Sequence, residues 1–180
     1  MNLQLRKRQG CLSFLTAGEL RRLLTAALSE NYRDYSMILL AYRHGFRASE
    51  VCGIGLDSVD QSAARIVCHR LKGSVTNWQR LEDDEISALR TWLDIRPATD
   101  ATALFVDSRG RALSRYQFYR IFRRHALAVG IPEAKCHPHV LKHSLGTHLA
   151  NAGVPVQVIQ QRLGHRCISN TLVYLQIASE

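Results

Sequence analysis

Apolar residues recur along most of the chain at three- and four-residue intervals, the spacing of helices that bury one side. Leu20, Leu23, Leu24, Ala27 and Leu28 mark one such side. Thr16-Ala17-Gly18-Glu19 precedes it with the spacing of a capping box, Thr16 as N-cap and Glu19 reaching back. A second helix, roughly Asp34 to Tyr42, carries large apolar side chains and is expected to be buried. Gly45 breaks it, and a short helix restarts near Ala48-Ser49-Glu50. Asp83-Asp84-Glu85 place acids where a helix dipole favours them, opening a helix that runs to about Ile95 before Pro97. Ser114 and Gln117 form another capping box, followed by Phe118, Ile121, Phe122, Ala126 and Val129 at helical period. Gly130 and Ile131-Pro132 end that helix. The final third reads as three short helices, about 139–151, 155–163 and 169–176, punctuated by Gly153 and Gly164. One stretch breaks the rhythm. Ala64 to Cys68 and Val75 to Leu81 read as two strands joined around Lys72-Gly73-Ser74 in a β-hairpin. Leu104-Phe105-Val106 is at most a short strand. The predicted fold is mostly α with a small antiparallel β-sheet, an α+β class.

Composition narrows the partners. The chain has 180 residues, enough for one domain, and 46% of them are hydrophobic, enough for a core. Its formal charge of +9 favours an anionic partner, nucleic acid first, although a basic surface can also serve solubility alone. Arg120, Arg123 and Arg124 line one helix face as candidate phosphate contacts, with Lys135 and Arg166 beside them; a solvated charged face is the plainer reading. The five cysteines, Cys11, Cys52, Cys68, Cys136 and Cys167, are odd in number and lack CxxC spacing. That argues for a reducing compartment and a cytoplasmic protein. No apolar run is long enough to span a bilayer.

Candidate chemistry concentrates late in the chain. His139 and Lys142 are three residues apart on a predicted helix and share a face. Alone they read as an ordinary surface pair. His165 follows Leu163-Gly164 at a helix end, and Tyr174 lies nine positions later among Leu172, Val173 and Leu175, where a core aromatic would also fit. Arg47 stands after Gly45-Phe46 at a helix start.

These residues carry a resemblance. Gly45-Phe46-Arg47-Ala48-Ser49-Glu50 resembles the first arginine box of the tyrosine recombinases, the phage-type integrases. Arg70-Leu71-Lys72-Gly73-Ser74 is similar to their β-hairpin lysine segment, and His139-Val140-Leu141-Lys142-His143-Ser144 to their His-x-x-Arg-His-Ser box. Leu163-Gly164-His165 and Tyr174 resemble the closing histidine and the nucleophile. The resemblance implies a catalytic domain over residues 14–180, a short basic arm over 1–13 and no separate N-terminal core-binding domain, as in the short recombinases of fimbrial phase switches. It implies that Tyr174 attacks a DNA phosphodiester to leave a 3′-phosphotyrosine and a 5′-hydroxyl. Arg47 would hold the non-bridging oxygens, Lys72 would protonate the leaving oxygen, His139 would help deprotonate or position the phosphate and nucleophile, and His165 would hydrogen-bond the phosphate. It further implies double-stranded DNA as partner, self-association as a tetramer on DNA, and neither metal nor cofactor.

Lys142 departs from that family pattern, which has arginine. A lysine keeps the charge and loses the planar fork that grips two phosphate oxygens. Slow or absent cleavage with intact DNA binding is therefore expected, and a catalytically weak DNA-binding regulator is the alternative function. A type IB topoisomerase shares the chemistry without partner exchange. A zinc site from Cys136, His137, His139, His143 and Cys167 lacks paired ligand spacing. His143-Ser144-Leu145-Gly146 lacks the first glycine of a nucleophile elbow.

Overall fold

The structure is a computed structural model that describes residues 13–71 and 74–178. The basic arm, apart from residue 13, and Lys72-Gly73 at the hairpin tip lie outside the described residues. The chain folds as helices around one small sheet: α1 (Ala17–Glu30), α2 (Tyr32–Arg43), α3 (Ala48–Cys52), β1 (Val59–Asp60), β2 (Arg65–Cys68), β3 (Asn77–Arg80), α4 (Asp83–Ile95), α5 (Arg115–Ala128), α6 (His139–Asn151), α7 (Val156–Leu163) and α8 (Ser169–Ala178). The mostly helical class with a small antiparallel sheet is the one the hydrophobic pattern predicts.

Both expected capping boxes form. Thr16 Oγ1 accepts from the Glu19 amide, and the Glu19 carboxylate accepts from the Thr16 amide at 2.7 Å. Ser114 and Gln117 make the same exchange. The second helix begins earlier than the expected Asp34. Asn31 caps it, its side-chain oxygen accepting from the amides of Arg33 and Asp34. This helix, α2, is the central one. Met37, Ile38, Leu39, Leu40 and Ala41 are all buried, because α1, α4 and α6 pack around it.

The sheet runs antiparallel in the order β1-β2-β3, with Ile66 opposite Gln79 and Cys68 opposite Asn77. Both expected strands come out shorter. Ala64 adopts a left-handed φ of 48°, so the turn ends there and β2 starts at Arg65. Residues 74–76 leave the ladder because their partners lie elsewhere. The Val75 amide donates to the Gly164 carbonyl, and Thr76 Oγ1 accepts from the Arg70 amide. The hairpin is thereby tied to the end of α7. Leu104, Phe105 and Val106 are fully buried but join only isolated bridges, Gly55 with Ala103 and Val106 with Ala112.

One apolar core spans α1 to the start of α6. A smaller one, Leu145, Ala150, Ile159, Leu163 and Tyr174, joins α6, α7 and α8. The proposed nucleophile therefore belongs to a core.

Candidate active site

Two glycine turns bring the candidate residues together. Gly45, at φ 60°, ends α2 and sends the chain back toward α3; a Cβ there would meet Leu163 at 2.8 Å. Gly164, at φ 66°, caps α7 against Arg70 and hands the chain to His165. Arg47 and His165 thus leave adjacent turns.

Arg47 is the N-cap of α3. Its guanidinium donates to Glu50 Oε1 at 2.7 Å and to Ser74 Oγ at 3.3 Å, and Glu50 Oε2 accepts from the Arg47 amide at 2.8 Å. The Arg47 side chain remains 28% exposed, so its charge reaches the surface of the site. Glu50 is buried, and its pKa is lowered despite the opposing effect of burial, by the Arg47 and Leu71 amides, the Arg47 guanidinium and the charge of Lys142. Lys72, the expected general acid, lies outside the described residues. Its neighbour Leu71 donates its amide to Glu50 Oε1 at 3.1 Å.

From α6 come His139 and His143, one helical turn apart, their rings edge to face with centroids 4.4 Å apart. From α8 comes Tyr174, 2% exposed. Its hydroxyl lies 3.2 Å from His143 Nδ1, and its ring stacks on His165 at 6.3 Å with planes 13° apart. The buried Thr171 hydroxyl pairs with His165 Nδ1 at 3.0 Å, which fixes that ring. Gly146 makes room for the tyrosine: a Cβ there would fall 2.7 Å from three of its ring atoms.

The electrostatics fit a site prepared for an anion. Burial lifts the Tyr174 phenol to about 12, while the Arg47 charge pulls it down. Burial, then neighbouring cations and imidazoles, press His143 and His165 down to about 4. His139 is lowered by loss of hydration on its protein-facing flank and by Lys142, His137 and Arg47. The His143 and His165 rings are therefore neutral near pH 7.

Lys142 differs from the expectation of a phosphate-gripping cation. It is 2% exposed, and its ammonium donates to the Gly45 carbonyl at 2.8 Å and the Leu163 carbonyl at 2.7 Å. The side chain points inward from a helix whose Val140, Leu141, Ser144 and Leu145 are also buried.

Residues 13–180 match the model of the phage integrase family. The chain belongs to the phage integrase family. Among its relatives, type 1 fimbriae regulatory protein FimB of Escherichia coli K12 is 40% identical over 167 residues, which span 90% of this chain and 83% of that protein. FimE of the same strain is 37% identical, over 89% and 84%. Tyrosine recombinase XerC of Alcanivorax borkumensis is 32% identical, over 91% of this chain but 55% of that protein. The solved XerA recombinase superposes with a TM-score of 0.81 at 30% identity, covering 89% of this chain and 59% of that one. XerH site-specific recombinase bound to its palindromic difH substrate shares the fold, with a TM-score of 0.80 at 21% identity.

The five DNA-contact candidates of this family member fall into two groups. Arg123 pairs with Glu133, Arg124 with Glu30 and with buried Asp34, and Lys135 with both oxygens of Glu19. Arg120 and Arg166 are exposed. The sequence reading assigned no role in the reaction to His143, Glu50, Arg70 or Gly146. The signal for His143 was present, since it follows His139 by four residues on one helix. None of the described His, Cys, Asp and Glu residues group as a metal site, and no described helix is long and apolar enough to cross a membrane.

Proposed function

We propose that this chain is a site-specific tyrosine recombinase that breaks and rejoins double-stranded DNA, with residues 14–180 as its catalytic domain. The observation that carries this reading is the setting of Tyr174: a hydroxyl 3.2 Å from His143, its ring stacked on His165, in the field of the Arg47 charge. The relatives named tyrosine recombinases support it.

Tyr174 Oη attacks the scissile phosphorus and forms the 3′-phosphotyrosine as the bond to the 5′-oxygen breaks. Its proton passes to the neutral imidazole of His143, and His139, edge to face beside that ring, positions it. The departing 5′-oxygen takes a proton from Lys72. Arg47, with His165 Nε2, holds the non-bridging oxygens as their charge grows. Attack by a 5′-hydroxyl of a second strand reverses the steps and exchanges partners. The protein works in the cytoplasm as a tetramer on DNA. Arg120 and Arg166, exposed and basic, hold the flanking phosphates, with Arg123, Arg124 and Lys135 nearer to carboxylates.

Duplex DNA selected for binding from a random-sequence pool, nicked beside the bound centre, supplies the test. A covalent protein–DNA adduct that survives denaturation and vanishes in Tyr174→Phe is the expected result. Binding without any adduct would leave the second reading, a DNA-binding regulator, which the inward bonding of Lys142 favours.

A further inference from the structure

We propose that Lys142 and Arg70 form an internal strut that sets Arg47 and His165 in place, and that Lys142 does not hold the scissile phosphate. The roles of Arg47 and His165 rest on the recombinase reading above; the strut itself rests on the following geometry.

The two carbonyls that receive the Lys142 ammonium are not arbitrary. Gly45 lies two residues before Arg47, and Leu163 two residues before His165. Arg70 grips the same two turns from the sheet. Its fully buried guanidinium donates to His44 O at 2.6 Å, Gly45 O at 3.0 Å and Arg162 O at 2.9 Å, and to Glu50 Oε2 at 3.4 Å. It lies over the Phe46 ring at 5.0 Å. Two cations therefore share four carbonyls at the C-terminal ends of α2 and α7, where the helix dipoles favour positive charge. Through Glu50 the same cluster reaches the Arg47 guanidinium, and through Leu71 it reaches the residue before Lys72. The strut thus gathers the arginine turn, the hairpin base and the histidine turn at one point.

Valence separates the two roles for Lys142. An ammonium has three N–H groups and a neutral amine two. Either form satisfies both carbonyls, so the strut survives loss of the proton. A phosphate contact does not, because it needs the charge. Burial, with Arg70 and Arg47 nearby, presses Lys142 down to about 7.

The test pairs a charge-neutral substrate with a measurement that needs no catalysis. Adduct formation is followed on the nicked duplex with a natural scissile phosphate and with a methylphosphonate in its place. Arg47→Met is expected to lose ~10²- to 10³-fold in rate and to recover at least about tenfold on methylphosphonate. Lys142→Met and Arg70→Met are expected to slow the step at saturating DNA, with KM nearly unchanged and no methylphosphonate rescue. Lys142→Gln, neutral but with two N–H donors, is expected to retain most of the rate. Methylphosphonate rescue of Lys142→Met would overturn the strut. Failure to rescue Arg47→Met would instead strike the phosphate reading of the site. Hydrogen–deuterium exchange on the DNA-free protein decides independently. In Lys142→Met and Arg70→Met, segments 44–50 and 163–168 should both exchange about tenfold faster while α5 is unchanged, and Lys142→Gln should restore protection. Unaltered exchange in both segments, or unfolding that Lys142→Gln does not repair, would remove the strut whatever the enzyme does.

Discussion

Tyr174 is held tightly at the expense of being hard to ionise. Its hydroxyl sits in a small core, so burial raises its pKa to about 12, and the neutral imidazole of His143 lies 3.2 Å away. The fit of its ring depends on one missing methyl group. In Gly146→Ala the new Cβ would stand 2.7 Å from three ring atoms, closer than side chains pack. Overpacking of this kind costs ~1–3 kcal/mol, and here the tyrosine must move. Adduct formation is expected to fall by about tenfold or more, as reactive geometry is lost, while fluorescence anisotropy shows DNA affinity within about twofold of the parent. A matching loss of affinity would place Gly146 in general stability instead. The basic residues divide at the same scale. Arg120 is exposed, whereas Arg124 is bonded to Glu30 and to the fully buried Asp34, which also accepts from Arg33 and His125. Arg120→Ala should lower the slope of log affinity against log salt by about one. Arg124→Ala should leave the slope alone and lower the melting temperature, because a buried carboxylate loses a donor.

At the scale of elements, local signals were legible and distant ones were not. Capping boxes at Thr16 and Ser114, the Gly45 break and the helical periods all act within a few residues, and each forms as read. The Asn31 cap was overlooked because the first apolar run of α2 starts several residues after its true N-terminus. Residues 75 and 76 read as strand because Val75 and Thr76 have strand propensity. Their hydrogen bonds go instead to Gly164, 89 positions along from Val75, and to the Arg70 amide. The site shows the same division. His139, His165, Arg47 and Tyr174 stood out as candidates because the short segments around them resemble the boxes of a known family. The Lys142–Arg70 strut was not, since its acceptors are backbone carbonyls up to 97 positions away and carry no side-chain signature. A lysine in an arginine box reads as a weakened ligand until its acceptors are known. Burial of Tyr174 is likewise a property of how α8 docks on α6.

For the whole molecule, the histidines around the site couple folding to pH. His143 and His165 have an ordinary value of 6.5 and sit near 4 in the folded chain, with His139 moved the same way. Between pH 6.5 and 4 the unfolded chain therefore binds protons that the folded chain refuses. Stability is unaffected above that window and falls as pH drops through it. The loss amounts to about 1–2 kcal/mol for each of His143 and His165 by pH 5. Carboxylates held by ion pairs, Asp34, Glu50 and Glu85, act separately. Their folded values lie below 3.8 to 4.5, so the stability they contribute is lost only under more acid conditions. Melting temperatures recorded from pH 7.5 to 5 should decline in the parent and decline less in His143→Gln and His165→Gln, each of which removes one group from the balance. Bound DNA should flatten the curve as well, because a phosphate beside these rings stabilises their charged forms and raises their pKa toward the unfolded value. A parent curve level down to pH 5 would mean that the rings are solvated in solution, and the dry pocket around Tyr174 on which the reaction geometry depends would then be open to water.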